Sequence, residues 1–142
     1  MERIVECTNE EERNIIGYSL NDFNFSKVPA TLSPTYSRFD FVLKNEQDDV
    51  LGGILASLGP WGGLEIKILW VKESSRNKGA GTRLLKRIEE EAIQKGAKIA
   101  VLDTFDFQAK DFYLKNGYAI FGELDNFPEG HKRYYLSKKL IS

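Results

Sequence analysis

Arg76-Asn77-Lys78-Gly79-Ala80-Gly81 is the stretch on which the reading of this chain turns. Residues 64–71 before it read as a strand. After it, Leu84, Leu85, Ile88 and Ala92 recur at helical spacing, which predicts an amphipathic helix over residues 81–95 stopped by Gly96. Between a strand and a helix, free backbone N–H groups and the helix dipole converge on an anion. Glycines admit positive φ there and let a phosphate approach with no Cβ in the way. No Gly-Lys-Ser/Thr follows, so this is not a nucleoside-triphosphate loop, and the glycine spacing is not that of the dinucleotide fingerprint. Taken alone, the glycines fit a plain turn. The surroundings favour an anion: from Lys72 to Arg87 there are six basic residues (Lys72, Arg76, Lys78, Arg83, Lys86, Arg87) and one acid, Glu73.

Working outward, residues 50–58 and 38–44 read as two more strands, so that three in a row form an antiparallel meander. Gly59-Pro60-Trp61-Gly62-Gly63 is the turn before the third. Upstream, Thr8 and Glu11 fit a capping box, with Ile16, Leu20 and Phe23 at helical spacing behind it. Residues 26–35, broken by Pro29 and Pro34, read as loop, and residues 2–6 as a first strand. Downstream, residues 98–104 form a short buried strand, residues 108–116 a short helix ended by Gly117, and residues 118–121 and 134–140 two closing strands. The fold class is α/β, with a mixed, mostly antiparallel sheet of six to seven strands flanked by helices in one domain spanning residues 1–142.

Composition bounds the function. The chain has 142 residues, of which 42% are hydrophobic and 29% charged, ordinary values for a folded domain. One cysteine (Cys7) excludes an internal disulfide framework, and one histidine (His131) excludes a multi-histidine metal site, so no metal is expected. Net charge is −1, which does not point to nucleic acid. It is unevenly spread: residues 1–60 hold 5 basic and 10 acidic groups, residues 61–142 hold 15 and 11. The opening residues are acidic and lack an apolar run, and no stretch is long and apolar enough for a membrane span. A cytoplasmic protein is expected.

Arg-x-x-Gly-x-Gly after a strand and before an amphipathic helix resembles the acetyl-CoA-binding motif of the GNAT superfamily of N-acetyltransferases. Ala109, Tyr113, Gly117 and Tyr118 resemble the family's downstream Asn-x-x-Ala-x-x-x-Tyr-x-x-x-Gly-Phe pattern, with Asp106 at the Asn position and Tyr118 at the Phe position. The runs Leu102 to Phe105 and Phe127 to His131 are similar to a bacterial subgroup of small members. The resemblance implies a third meander strand that splays from its neighbour after Val71, and a pantetheine arm paired with backbone at Leu69, Trp70 and Val71. It also implies a diphosphate on the N–H groups of Arg76, Asn77, Lys78, Gly79, Ala80, Gly81 and Thr82. Acetyl-CoA would be co-substrate, a small-molecule primary amine the acceptor, and a homodimer is possible for such proteins. A non-catalytic acyl-CoA sensor and a protein or peptide N-acetyltransferase are the alternatives.

Direct transfer to an amine needs a base, an oxyanion donor and a proton for the leaving thiolate. Glu65 matches the place of the base glutamate in histone-type members, and simple alternation puts it on the face of Leu69 and Val71. Otherwise it is a strand acid beside Lys67. Tyr113 matches the family's acid, since a phenol with a pKa of about 10 stays protonated at neutral pH. Periodicity alone makes it a core aromatic beside Phe112. The oxyanion donor would be a backbone N–H around Leu69 to Val71. Trp61 either walls an acceptor pocket or caps the sheet. His131 is an acceptor-site candidate by the subgroup resemblance. Asp103, Asp125 and Glu129 would give an acidic rim suited to a cationic amine.

Overall fold

The structure is a computed structural model that describes residues 1–140. The chain forms two compact units, residues 1–31 and the residues from Leu32 onward. In the first, helix α1 spans Glu10–Lys27. Its cap is Asn9, not Thr8: Asn9 Oδ1 accepts from Glu12 N at 2.8 Å, and Asn9 Nδ2 donates to Glu12 Oε1 at 2.7 Å. The box has moved by one residue because the same spacing recurs there and asparagine is a better cap than threonine. The helix also continues past the expected loop boundary at residue 26, closing where the Val28 N–H reaches Asn24 O. Residues 2–6 form no strand. Only Ile4 and Val5 are apolar there, too few to hold a strand by burial.

The second unit is a seven-stranded sheet. Strands β1 (Ser37–Arg38) and β2 (Phe41–Lys44) both pair antiparallel with β3 (Val50–Leu58). The expected single strand over 38–44 is interrupted because the Asp40 carboxylate, not a backbone carbonyl, accepts Ala56 N at 3.1 Å. Strand β4 (Gly63–Val71) pairs antiparallel with β3, and β5 (Ile99–Phe105) lies parallel to β4. Between β4 and β5 the chain crosses through a short 3-10 turn (Glu73–Ser75) and α2 (Ala80–Gln94). Helix α3 (Lys110–Lys115) leads into the hairpin β6 (Ala119–Asp125) and β7 (Lys132–Lys139), and β7 pairs with β5. The hairpin is longer than expected. Lys132 lies 3.6 Å from both Glu123 and Asp125, so cross-strand charge pairs extend the ladder past its apolar part. Conversely, α3 starts late, because the Gln108 side chain accepts from Phe105 N at 2.8 Å and holds residues 105–108 as a turn.

The core lies between α2 and one sheet face. Leu84, Leu85, Ile88 and Ala92 pack on Ile54, Leu64, Ile66, Ala100, Leu102 and Leu136. Ile54, Leu64, Leu85, Ile88 and Leu136 are fully buried. Truncating any of these to alanine costs about 2–5 kcal/mol through lost transfer energy and the cavity left behind. One polar group shares this core: Glu89, which falls on the stripe four residues after Leu85, is buried and accepts from Tyr118 Oη at 2.7 Å and Lys138 Nζ at 2.9 Å.

A splayed strand pair and its cavity

Two irregularities in β4 create the site. The β3–β4 register slips between Leu55 and Ala56, so that Lys67 and Ile68 together oppose Leu55. Before this bulge the buried side chains are the even ones, Leu64 and Ile66; after it the half-buried ones are odd, Leu69 and Val71. Glu65 therefore shares the face of Ile68 and Trp70, turned away from α2, and not that of Leu69 and Val71 as unbroken alternation requires. The second irregularity is the splay. Pairing of β4 with β5 stops at Ile66 opposite Leu102. The strands thus part five residues earlier than the expected point after Val71.

The splay leaves backbone groups facing a gap. Lys72 N donates to Leu51 O at 2.7 Å, so in this antiparallel ladder residues 72, 70 and 68 bond toward β3. Leu69 and Val71 consequently point their N–H and C=O groups the other way, into the space that β5 has vacated. Among these, Val71 O accepts from Arg76 Nε at 2.8 Å. The gap opens into a cavity of about 920 Å³. It is lined on one side by β4 from Ile66 to Val71, and on the other by Leu102, Asp103, Thr104 and the segment from Asp106 to Tyr113.

The loop closes one end of this cavity. Arg76, Asn77, Gly79, Ala80, Gly81 and Thr82 all line it, whereas Lys78 does not. Gly79 caps α2 at φ +81° and Asn77 also has positive φ, at 63°. The first intrahelical bond is Arg83 N to Gly79 O, so the N–H groups of Ala80, Gly81 and Thr82 have no partner in the helix. No side chain caps them, and the first turn carries no acid. That is a seat for an anion made of backbone donors and the helix dipole. The two glycines serve differently. A Cβ at Gly79 would meet open space, so its need is the backbone angle. A Cβ at Gly81 would stand 3.3 Å from the Phe112 ring, so its need is the close approach of α2 and α3.

Tyr113 projects from α3 into the same cavity and is nearly buried. Burial pushes its phenol up to about 12, and the nearby Asp103 charge adds to the rise. It is protonated at neutral pH. Asp103 also lines the cavity and is held by Arg133, whose Nη2 lies 2.9 Å from Oδ1. That guanidinium is in turn surrounded by the rings of Phe105, Phe127 and Tyr135 at 5.3–5.5 Å. Asp106 binds His131 Nδ1 at 2.9 Å through Oδ1 and accepts Lys132 N at 3.0 Å through Oδ2. Partial desolvation pushes the Asp106 carboxyl up, and the bonds from His131 and the Lys132 N–H more than offset it, leaving the group below its ordinary value.

The candidates thus divide. Leu69, Trp70, Val71, the loop apart from Lys78, and Tyr113 meet around one cavity. Glu65, paired with Ser57 and Val101, is not among the lining residues. Trp61 lies in the turn at the far end of β4, a strand length of roughly 25–30 Å from the loop. His131 stands behind Asp106 and Phe107, both of which line the cavity. Of the acidic rim, Asp103 reaches the cavity, while Asp125 is paired with Lys132 on the hairpin. Sequence reasoning passed over Thr104 and Gln108, which join at 3.2 Å beside the cavity, and over Glu89. Glu89 carried a signal, a carboxylate on an apolar helical stripe. Tyr118 explains its own departure from phenylalanine: its hydroxyl satisfies that carboxylate. Among the described residues no group of three or more His, Cys, Asp or Glu side chains could hold a metal, and no helix is long and apolar enough to cross a membrane.

The family model described as acetyltransferase (GNAT) family matches residues 4–118. Blasticidin-S acetyltransferase of Streptomyces morookaense is 32% identical over 96 residues, 67% of this chain and 70% of that protein. The crystal structure of an acetyltransferase from Bacillus cereus superposes with a TM-score of 0.86 at 32% identity, covering 96% of this chain and 97% of that one. An aminoglycoside 6′-N-acetyltransferase solved with coenzyme A shares the fold, with a TM-score of 0.65 at 20% identity over 98% of both chains.

Proposed function

The chain belongs to the GNAT acetyltransferase family and is an acetyl-CoA-dependent acyltransferase, and from that premise we propose that it moves the acetyl group to a primary amine of a small molecule by direct transfer. The observation that carries this reading is the continuity of the cavity. The open backbone edge of Leu69 and Val71, the bare N-terminus of α2 and the protonated Tyr113 all border one space.

In this reading the N–H groups of Ala80, Gly81 and Thr82 hold the diphosphate, with the Arg76 to Lys78 segment supplying positive charge. The β4 edge binds the pantetheine amides as an added strand would. A backbone N–H of that edge polarises the thioester carbonyl, strengthening as charge develops on oxygen. Tyr113 gives its proton to the departing sulfur. A phenol held near 12 stays protonated until the C–S bond breaks; its transfer to a thiolate whose acid has a pKa of about 8.5 is uphill and is drawn on by recovery of a proton from the acidic nitrogen of the new amide. Glu65, one residue before the splay and on the outer face, would need a bridging water to reach the amine. A small-molecule acceptor is supported by the named substrates of the antibiotic acetyltransferases above, and by the acids Asp103 and Asp106 in the cavity wall.

The test is thiol release from acetyl-CoA across a panel of aminoglycosides, nucleoside-type amines, polyamines, amino acids and peptides. Turnover of a small amine with kcat/KM well above that of peptides is expected. Binding of acetyl-CoA without turnover of any amine would instead favour a sensor.

A further inference from the structure

Resting on the reading of the site as an N-acetyltransferase, we infer that His131, held in one tautomer by Asp106, is the group that takes the proton from the acceptor amine. Asp106 sets the tautomer of the ring. Both its oxygens are engaged, Oδ1 by His131 Nδ1 at 2.9 Å and Oδ2 by the Lys132 N–H at 3.0 Å. A carboxylate so held accepts and does not donate, which assigns the hydrogen of the neutral imidazole to Nδ1 and leaves Nε2 bare. The ring is gripped from a second side by Phe107, edge to face at a centroid distance of 5.2 Å. Asp106 and Phe107, which both touch the ring, line the cavity, so the imidazole lies directly behind its wall. Its backbone is fixed as well: His131 N donates to Pro128 O, and Phe127 N donates to His131 O. With its side chain 48% exposed, it can pass a proton on to solvent.

The other acids around the cavity are less suited. Asp103 is committed to Arg133, Asp111 sits in the first turn of α3 where the helix end holds its charge, and Glu65 stands on the outer face of β4. Glu129 and Lys132 flank His131 in the chain, and the Lys132 ammonium lies 3.6 Å from both Glu123 and Asp125 of β6. The family's asparagine position is thus filled by a residue whose charge can orient an imidazole. The step balances. The acceptor ammonium gives one proton to Nε2, and the freed lone pair forms the N–C bond at the thioester carbonyl. The C–S bond breaks with its pair on sulfur, which takes the Tyr113 proton. Tyr113 recovers a proton from the new amide nitrogen, and the imidazolium discharges to solvent.

This is the single histidine of the chain, so its ring signals need no assignment. Long-range ¹H–¹⁵N NMR on the unliganded protein with the ring neutral is expected to show the Nδ1–H tautomer, and Asp106→Ala to shift it toward Nε2–H. A wild-type ring carrying its hydrogen on Nε2 overturns the inference without any acceptor being known. With an amine that is turned over, His131→Gln is expected to lose about 10²-fold or more in kcat/KM at neutral pH. It should also change the pH dependence of kcat/KM, while keeping its thermal shift with acetyl-CoA. An unchanged pH profile with turnover within twofold of wild type overturns the inference and leaves the acetyltransferase reading standing. Failure of every amine to release thiol removes that reading and this inference together.

Discussion

The hydroxyl of Tyr118 donates to Glu89 Oε2 at 2.7 Å, joining a strand entry to the middle of α2 across 29 residues of sequence. Lys138 holds the other oxygen. Tyr118 is thereby kept well above its ordinary range, by burial first and by the Glu89 bond and charge next. Removing the hydroxyl in Tyr118→Phe leaves one carboxylate oxygen buried with no donor. A loss of about 1–3 kcal/mol is expected, read as a lower midpoint in urea with an unchanged slope. If the variant is as stable as wild type, water reaches Glu89 and the contact is dispensable.

Gly79 and Gly81 should respond differently to alanine. Gly79→Ala forces a side chain to φ +81° but meets no atom within 4 Å. The loop relaxes, the N–H groups turn off their common focus, and acetyl-CoA affinity should fall at least tenfold. Gly81→Ala keeps its backbone and pushes on the Phe112 ring at 3.3 Å. Its cost should appear in thermal stability as well as affinity. Calorimetric titration beside a melting curve separates the two, and equal behaviour of both variants would show that the loop angle is not what binds.

The raised Tyr113 phenol has a consequence at high pH. Its ordinary value of 10.0 becomes about 12 in the folded chain, so the folded state holds this proton more tightly than the unfolded one. The stability linked to it is therefore present below pH 10 and is lost as pH climbs toward 12. Two pK units correspond to about 2–3 kcal/mol. Tyr113→Phe lacks this proton, so its stability should fall less steeply between pH 10 and 12 than that of wild type. Parallel curves would place Tyr113 in ordinary solvent.

Much of this was legible in the sequence. The 84, 85, 88, 92 spacing places α2 to within one residue, and the alternation of residues 50–58 gives β3 its observed bounds. These elements are read well because burial on one face writes a period into the chain. The bulge at Lys67 writes none. A charged residue between two isoleucines looks like continued alternation, and only pairing with β3 reveals the slip that moves Glu65 to the other face. The Asp106–His131 pair is hidden for a similar reason. Its partners are 25 residues apart and meet only because β5 and β7 are neighbours, a fact of topology and not of local pattern.

The open edge of β4 allows a test by proline. Within a sheet, proline removes one N–H and is tolerated only where that N–H has no ladder partner. Leu69 points its N–H into the splay, whereas Ile68, one residue earlier, donates toward β3 by the alternation fixed at Lys72. Both positions lie past the last pairing with β5, so neither substitution disturbs that strand. Ile68→Pro should therefore cost the ladder bond and several kcal/mol of stability. Leu69→Pro spares the ladder and loses only the half-buried leucine side chain, so it should unfold at the higher temperature of the two. Binding should rank in the opposite sense. Leu69→Pro removes a donor aimed at the bound acyl carrier, so its affinity for acetyl-CoA should drop by tenfold or more while the folded signal persists. Melting temperature and the acetyl-CoA-induced shift, measured on both variants, decide the matter. If Leu69→Pro binds as wild type does, the β4 edge is not where the acyl carrier pairs, and the cofactor must be held by the helix end alone.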